Sequence, residues 1–196
     1  MPAQLIYLAR HGETAWSRTG QHTGLSDLPL TERGEQEARE LGKRLADIAF
    51  EKVFTSPLQR AARSCDLAGF GKVAQMDPDL VEWNYGKYEG RKTAEILLEA
   101  PNWQLFRDGC PGGETPAQIG ARADRMLNQT RIANGTVLIF SSGHFLRVLA
   151  ARFLGLEPAG GKYFTLNTAS LSILGFENNS SPVIRLWNDT SSHRSH

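Results

Sequence analysis

Short apolar runs alternate with stretches of helical periodicity along most of the chain. Six runs rich in branched and aromatic residues are bounded by turn residues, as is typical of β-strands; they cover 4–9, 52–55, 73–76, 137–140, 171–176 and 183–187. The early runs alternate with helical patterns, which favours an α/β fold. The last two runs flank Asn178-Asn179-Ser180-Ser181, which predicts a terminal hairpin.

Polar caps and apolar spacing predict the helix starts. Apolar residues recur behind Thr31 at positions 38, 41, 45 and 48, so a helix is expected there, covering one face of the sheet. Ser56 and Thr115 each open a capping-box pattern with proline at the first helical position. A further helix is predicted over Phe145–Leu154, where Gly155 ends it.

The segment 88–113 does not follow this alternation. It contains Trp103, Phe106, a short helical piece at Thr93–Glu99 and a Cys-Pro-Gly-Gly turn. These features favour a lid over a pocket, and an ordinary surface excursion is the alternative. We see no linker, so we predict one domain over 1–196, with a frayed polar tail at 189–196.

Composition excludes several classes of protein. The 196 residues are 40% hydrophobic with a net charge of +1, which indicates neither a nucleic-acid-binding surface nor a polybasic membrane surface. No signal-peptide pattern or membrane-length apolar run is present, so a cytoplasmic protein without membrane partners is expected. Cys65 and Cys110 could pair in principle, but free thiols are favoured, and their spacing does not indicate a zinc site.

The candidate chemistry begins where the first strand ends. Arg10-His11-Gly12-Glu13-Thr14 directly follows the apolar run. Ligands of α/β sheets bind outside the carboxyl ends of the strands. A neutral imidazole there can attack as a nucleophile if a neighbouring cation holds an anionic substrate in line. A lone histidine in this position can also be a capped or core imidazole. The surrounding residues therefore have to distinguish a nucleophile from a structural histidine.

Four ordered blocks of the chain resemble the histidine phosphatase superfamily, which includes phosphoglycerate mutases and small phosphatases. The blocks are RHGETAWSRTGQHTGLSDLPLT at 10–31, TSPLQRA at 55–61, EWNYGKYEG at 82–90 and RDGCPGGET at 107–115. They are most similar to the sedoheptulose-1,7-bisphosphatase branch. The resemblance implies a three-layer α/β/α sandwich, with a mostly parallel central sheet, helices on both faces and an antiparallel edge.

The resemblance also implies roles for individual residues. His11 is the expected nucleophile, and Arg10 and Arg60 supply paired guanidinium bonds to phosphate oxygens. Glu82 is the expected acid that protonates the leaving group and then activates water. Further phosphate or substrate contacts are expected from Thr14, Ser17, Gln21, Thr23, Gly24, Tyr85, Ser142 and His144.

Other polar residues are expected to play supporting roles. Glu89 and Glu114 are weaker acid candidates that are expected to support loops, and His22 is expected at the pocket rim or on the surface. No set of carboxylates is spaced as an obvious Mg²⁺ site, and a histidine nucleophile flanked by arginines does not require one. We therefore predict a metal-independent enzyme without a cofactor.

One position departs from the family pattern. Relatives carry a second pocket histidine before a glycine, where this chain has Ser142, and His144 matches a later position that faces substrate in relatives. Losing one transition-state donor costs roughly 10²–10³ in rate. Three explanations stay open: a natural substitution compensated by His144, a weakened or inactive relative, and a deliberate change made to trap a ligand.

Three functions are therefore compared. The leading hypothesis is a phosphatase acting on a small phosphorylated metabolite, a sugar mono- or bisphosphate, as a monomer or homodimer. A phosphoglycerate mutase would need lid cations for the substrate carboxylate, and Arg91, Lys92 and Arg107 are less convincing in that role. The third hypothesis, motivated by Ser142, is a catalytically silent phosphate-ligand sensor.

Overall fold

A computed structural model of the chain describes residues 4–133, 135–178 and 180–191. In this part of the chain one sheet has the strand order β3-β2-β4-β1-β5-β6. The strands are β1 (Ile6–Arg10), β2 (Lys52–Thr55), β3 (Gln75–Met76), β4 (Val137–Ser141), β5 (Leu171–Glu177) and β6 (Ser181–Asp189). The first four strands pair in parallel, whereas β5 runs antiparallel to β1 and β6 antiparallel to β5. The predicted sheet with an antiparallel edge is confirmed.

Helices cover both faces of this sheet. They are α1 (Ala15–Thr19), α2 (Glu32–Leu45), α3 (Gln59–Leu67), α4 (Thr93–Glu99), α5 (Leu105–Asp108), α6 (Pro116–Ala133) and α7 (Gly143–Phe153). Alternate residues of a strand point to opposite faces. Accordingly, Leu8 of β1 packs in one core with residues of α6 and α7, and Ala9 packs in another with residues of α2 and α3. The three-layer sandwich is confirmed.

Several predicted bounds agree with the structure. Thr31 caps α2, its Oγ1 accepting from the Gly34 N–H at 3.1 Å. Helix α4 spans the predicted residues, α6 starts at Pro116, and α7 starts at Gly143, two residues earlier than expected. β3 is shorter than predicted because Val73 and Ala74 belong to a turn, where their N–H groups donate to the Phe70 carbonyl at 3.1 and 3.0 Å.

The predicted capping box at Ser56 is wrong. Helix α3 begins at Gln59, and Leu58 precedes it without a side-chain cap. Ser56 Oγ accepts from the Leu58 N–H at 3.3 Å, and Asp27 Oδ1 accepts from the Gln59 N–H at 2.7 Å. A distant loop therefore satisfies the first helical donor, which local spacing cannot reveal.

The predicted frayed tail starts too early. Asp189 ends β6, and its carboxylate forms an ion pair with Arg44 at 2.6 Å. Residues 192–196 and Asn179 of the predicted turn lie outside the described residues. The antiparallel pairing of β5 with β6, on either side of this turn, confirms the hairpin.

Both cysteines are free and buried. Burial raises the pKa of the Cys65 and Cys110 thiols to about 12, which makes them poor nucleophiles. None of the helices described is long and apolar enough to cross a membrane.

Candidate active site

The carboxyl ends of β1 and β4 meet at one edge of the sheet. Arg10 ends β1 opposite Ser141, the last residue of β4, and the His11 N–H donates to the Ser141 carbonyl at 3.0 Å. Gly12 allows the close turn that follows, because a Cβ there would lie 2.1 Å from the Gly34 carbonyl oxygen. The strand end therefore holds His11 at a fixed position.

His11 is a buried imidazole with one ring nitrogen engaged. Its Nδ1 lies 2.7 Å from the Gly12 carbonyl oxygen. Because a carbonyl oxygen only accepts, Nδ1 carries the proton and Nε2 keeps its lone pair. Burial lowers the pKa of His11 well below its usual value, and the charges of Arg60 and Arg10 lower it further. His11 therefore presents a neutral nucleophilic nitrogen.

Two arginines concentrate positive charge beside this ring. Arg10 donates to the Leu166 carbonyl. Arg60 is fully buried and donates to the Ser26 and Gly24 carbonyls at 2.9 and 2.7 Å. Among the described residues neither arginine has a carboxylate partner, and each Nε lacks a hydrogen-bond partner. The charge of Glu82 acts on both arginines without direct contact, and buried cations that lack a direct partner are costly, so this arrangement favours an anionic ligand.

Glu82 lies at the amino end of α7. Its Oε1 accepts from the Trp83 and Phe145 N–H groups at 2.9 and 2.8 Å, and its Oε2 accepts from the His144 N–H at 2.9 Å. The amino end of a helix favours a negative group. These bonds fix the carboxylate in the cavity that His11 also lines.

His144 and Tyr85 form a hydrogen-bonded pair in the same wall. The Tyr85 hydroxyl lies 2.5 Å from His144 Nδ1. Burial raises the pKa of Tyr85 well above its usual value, whereas burial and the charge of Arg147 hold the pKa of His144 well below its usual value. If the Tyr85 hydroxyl donates, Nε2 of His144 carries a proton that a phosphate oxygen can accept.

Ser142 occupies the cap position before α7 and is fully buried. Its Oγ has no hydrogen-bond partner among the described residues. An unsatisfied buried hydroxyl costs about 1–3 kcal/mol. In the described chain, the buried side-chain atoms without a partner are this Oγ and the Nε atoms of Arg10 and Arg60, all from residues predicted to hold phosphate.

An inner chamber of about 260 Å³ brings many of the predicted residues together. The predicted residues that line it are Arg10, His11, Ser17, Gln21, Thr23, Glu82, Tyr85 and His144. The described residues contain no group of three or more His, Cys, Asp or Glu side chains that could hold a metal ion. The arginines that line the chamber are Arg10 and Arg147, whereas Arg60 and Ser142, also predicted to contact phosphate, are not part of its lining.

Two of the predicted contacts have other roles. Thr14 is fully buried and caps α1, its Oγ1 accepting from the Ser17 N–H at 3.1 Å. The Gly24 N–H donates to Glu89 Oε1 at 2.8 Å. Both residues shape the loop after His11, because their polar groups are used within the protein.

The expected supporting residues contact loops. Glu89 Oε1 also accepts from the Ser26 N–H at 3.1 Å, and Glu114 forms an ion pair with Arg122 at 2.7 Å. His22 lines the inner chamber, with its ring 4.6 Å from that of Tyr85.

Sequence reasoning missed Arg147, which also lines the inner chamber. It follows His144 by three residues on α7, and residues three apart share a helix face. This spacing was the signal that could have identified it.

A larger cavity of about 750 Å³ lies behind Arg10. The cations that α2 contributes to it are paired: Arg33 with Glu37 at 2.9 Å and Arg44 with Asp189 at 2.6 Å. Arg10 lines both cavities, but His11 and Glu82 line the inner chamber and not the larger cavity, so we take the inner chamber as the active site.

A neutral histidine beside two unpaired arginines, at the strand ends of an α/β sheet, is a site suited to phosphate esters. Residues 6–190 match the histidine phosphatase superfamily (branch 1). The chain belongs to this superfamily, and it is an enzyme of the histidine phosphatase type.

Individual relatives agree with this assignment. An acid phosphatase of Mycobacterium tuberculosis is 39% identical over 176 residues, covering 88% of this chain and 86% of that protein. A sedoheptulose 1,7-bisphosphatase of Saccharomyces cerevisiae is 37% identical over 182 residues, covering 76% and 67%. The solved structure of open reading frame Rv3214 from M. tuberculosis superposes with a TM-score of 0.89 at 36% identity, covering 94% and 97%.

Proposed function

We propose that the enzyme hydrolyses small phosphorylated metabolites, sugar mono- or bisphosphates, through a phosphohistidine on His11 and without a metal ion. The observation that carries this proposal is the free Nε2 of a neutral, buried imidazole beside two arginines that have no carboxylate partner in the described part of the chain. Phosphoryl transfer needs mainly positioning and positive charge around the phosphoryl oxygens, which these arginines supply.

In the first step, His11 Nε2 attacks phosphorus and the bond from phosphorus to the ester oxygen breaks. The leaving alkoxide takes a proton from Glu82. The products of the step are an alcohol and a phosphohistidine.

In the second step, Glu82 removes a proton from a water molecule. The water oxygen attacks phosphorus, the bond from phosphorus to Nε2 breaks, and inorganic phosphate leaves. One carboxyl group thus acts as acid and then as base. The three backbone N–H groups that hold Glu82 keep it oriented for both tasks.

Polar groups in the inner chamber support a sugar as the alcohol. Ser17, Gln21 and Thr23 line the chamber together with the nucleophile. Such groups suit the hydroxyls of a sugar chain better than they suit an apolar ester. The yeast relative named as a sugar bisphosphatase supports the same substrate class.

Phosphate release from a panel of sugar phosphates tests this proposal. Wild type is expected to release phosphate from at least one member, with no loss after extensive treatment with EDTA, and His11→Ala is expected to abolish release. Arg18→Ala, at an exposed position of α1, serves as the control. No release from any member, or full activity of His11→Ala, would overturn the proposal.

The two alternative functions differ in their structural support. Arg91 and Arg107, the lid cations that a mutase would need, are engaged with Glu99 and Asp108 at 2.8 and 2.7 Å. A silent phosphate-binding protein is favoured by the uncharged Ser142, and it predicts phosphate-ester binding without turnover.

A further inference from the structure

Arg60 is held in place by the loop that follows the nucleophile. Its terminal nitrogens donate to the carbonyls of Thr23, Gly24 and Ser26 at 3.1, 2.7 and 2.9 Å. A guanidinium has five N–H donors, and the Nε of Arg60 has no partner among the described residues. The positions of the three carbonyls therefore decide where Arg60 presents its remaining donors to a phosphoryl group.

The same loop is held from its other side by the carboxylate of Glu89. Glu89 Oε1 accepts from the N–H groups of Gly24 and Ser26 at 2.8 and 3.1 Å. In the peptide unit that joins Thr23 to Gly24, the N–H thus faces an anion and the carbonyl faces the Arg60 cation. Opposite charges at its two ends orient this peptide dipole, and hydrogen bonds in such a chain strengthen one another.

The contact between the loop and Glu89 requires a glycine at position 24. A Cβ on Gly24 would lie 2.5 Å from Glu89 Oε2 and 2.5 Å from the Trp83 carbonyl oxygen. Both distances are far shorter than van der Waals contact, so a side chain would push the loop away from the carboxylate. Gly24 therefore permits the close approach that brings Glu89 to the residues holding Arg60.

Glu89 also lies in the segment that carries the proposed acid. Glu82 and Glu89 both belong to EWNYGKYEG at 82–90. The end of this segment is fastened to the loop, because the Gly90 N–H donates to the His22 carbonyl at 2.8 Å and Gln21 Nε2 donates to the Gly90 carbonyl at 2.8 Å. From this junction the Glu89 carboxylate reaches the loop that holds Arg60. The acid and the phosphate-binding cation are thus connected through one side chain.

An indirect connection leaves Arg60 available for substrate. A carboxylate bonded directly to Arg60 would occupy donors that a phosphoryl group needs. Glu89 instead bonds the loop N–H groups, and the described lining of the inner chamber does not include it. Its charge still opposes the lowering of the Arg60 pKa by burial, which helps to keep the guanidinium charged.

We propose that Glu89 is a positioning residue for phosphoryl transfer. Through the N–H groups of Gly24 and Ser26 it fixes the carbonyls that orient Arg60, and it does not itself contact the phosphoryl group. This inference rests on the proposed function, because it requires that Arg60 bind the phosphoryl group that reacts at His11.

Substitutions at position 89 test the role of the carboxylate. Glu89→Ala leaves the two loop N–H groups without their acceptor. We expect kcat/KM for p-nitrophenyl phosphate to fall by about 10–100-fold, since a misplacement of about 1 Å can cost roughly 100-fold. Glu89→Gln keeps an oxygen that can accept both N–H groups, and it is expected to retain most of the activity.

Two further variants complete the series. Glu99→Gln is the control, because it removes an exposed carboxylate of the 88–113 segment whose partner is Arg91, at 2.8 Å; unchanged kinetics are expected. Glu89→Asp withdraws the carboxylate by one methylene and keeps its charge. It gives the same test, with a smaller expected loss, if Glu89→Ala does not fold in thermal unfolding experiments.

A double-mutant cycle with Arg60→Met shows whether Glu89 acts through Arg60. In that case Glu89→Ala lowers kcat/KM and weakens binding of inorganic phosphate when Arg60 is present. When Arg60→Met is already present, Glu89→Ala changes each quantity by less than about 2-fold, the usual scatter of additive effects. A role in folding alone would give the same fold-loss in both backgrounds.

Binding of inorganic phosphate, measured by calorimetry, separates this inference from the proposed function. If Glu89→Ala weakens phosphate binding only while Arg60 is present, the positioning role stands even if no ester is hydrolysed. If esters are hydrolysed through His11 and the loss caused by Glu89→Ala is absent, or is equal with and without Arg60, the positioning role is wrong and the phosphatase stands.

Discussion

Hydrogen bonds to Nδ1 set the roles of the two imidazoles in the inner chamber. His11 Nδ1 faces a carbonyl, which leaves Nε2 as a nucleophile, whereas His144 Nδ1 faces the Tyr85 hydroxyl. With Tyr85 as donor, His144 becomes a neutral hydrogen-bond donor for phosphate. His144 then presents an imidazole N–H at the inner chamber, which the Ser142 side chain cannot do.

Replacing Ser142 with histidine tests whether this position limits the rate. The imidazole would add a donor near the phosphoryl oxygens, and we expect Ser142→His to raise kcat by roughly 10²–10³, the usual value of one transition-state donor. Steady-state kinetics on the best ester provides the measurement.

Ser142→Ala is the matched control. It removes a buried hydroxyl without a partner, so we expect no loss of thermal stability and a small loss of activity. An unchanged rate for Ser142→His in a folded protein would contradict the prediction that position 142 limits the rate.

Individual residues could be predicted where the motif lies next to the strand end. His11, Arg10 and Glu82 line the chamber as expected, because the motif follows the strand directly and the resemblance aligned the acid. Thr14 and Gly24 were assigned to the substrate, yet they bond to Ser17 and Glu89 within the protein. Composition cannot distinguish a polar loop residue that faces the ligand from one that satisfies a neighbour.

At the scale of elements, α6 positions the segment that carries the acid. Arg122 of α6 is largely buried and forms two bonds to the Glu114 carboxylate, at 2.7 and 2.8 Å. The same guanidinium donates to the carbonyls of Val81 and Glu82 at 2.9 and 3.3 Å. One side chain thus ties two loops to a helix beneath the active site.

Arg122→Met tests this coupling. The change leaves the Glu114 carboxylate unpaired in a half-buried site, so we expect the free energy of unfolding to fall by about 3 kcal/mol. We also expect kcat to fall, because the Glu82 segment loses its anchor. Denaturant unfolding and steady-state kinetics measure the two effects.

Arg125→Met is the control on the same helix. Its exposed ion pair with Asp79, at 2.6 Å, is screened by water, so little change is expected. An Arg122→Met protein as stable and active as Arg125→Met would contradict the anchoring role.

Element type was more predictable than element bounds. The apolar spacing behind Thr31 predicted α2 correctly, since one helix face is buried against the sheet. The start of α3 was missed because its cap comes from Asp27, far away in sequence. The 88–113 segment lines a cavity of about 490 Å³ through Trp103 and Phe106, and whether it moves as a lid stays a prediction.

For the whole molecule, the buried histidines predict acid lability. Burial lowers the pKa of His11 and His144 well below their usual value of 6.5. As pH falls below 6.5, each imidazole takes up a proton in the unfolded chain but not in the folded one. Each therefore reduces the free energy of unfolding by up to about 1.4 kcal/mol per pH unit.

Unfolding in urea between pH 7 and 5 measures this slope. The free energy of unfolding continues to fall until the pH reaches the folded-state pKa values of the two histidines. Combining His11→Gln with His144→Gln is expected to flatten the dependence of this free energy on pH. A wild-type stability that is constant over this range, or a slope that the double variant retains, would contradict the prediction.

The central claim is that phosphorus becomes bonded to His11, and trapping that adduct tests it most directly. In Glu82→Gln the leaving group gains no proton and water is not activated. With p-nitrophenyl phosphate, whose phenolate leaves without a proton, the first step proceeds and the second stalls. We predict a burst of one equivalent of nitrophenolate and, in an alkaline quench analysed by mass spectrometry, phosphate on His11. Turnover of the ester by wild type with no burst and no phosphate on His11 in this variant would contradict the account.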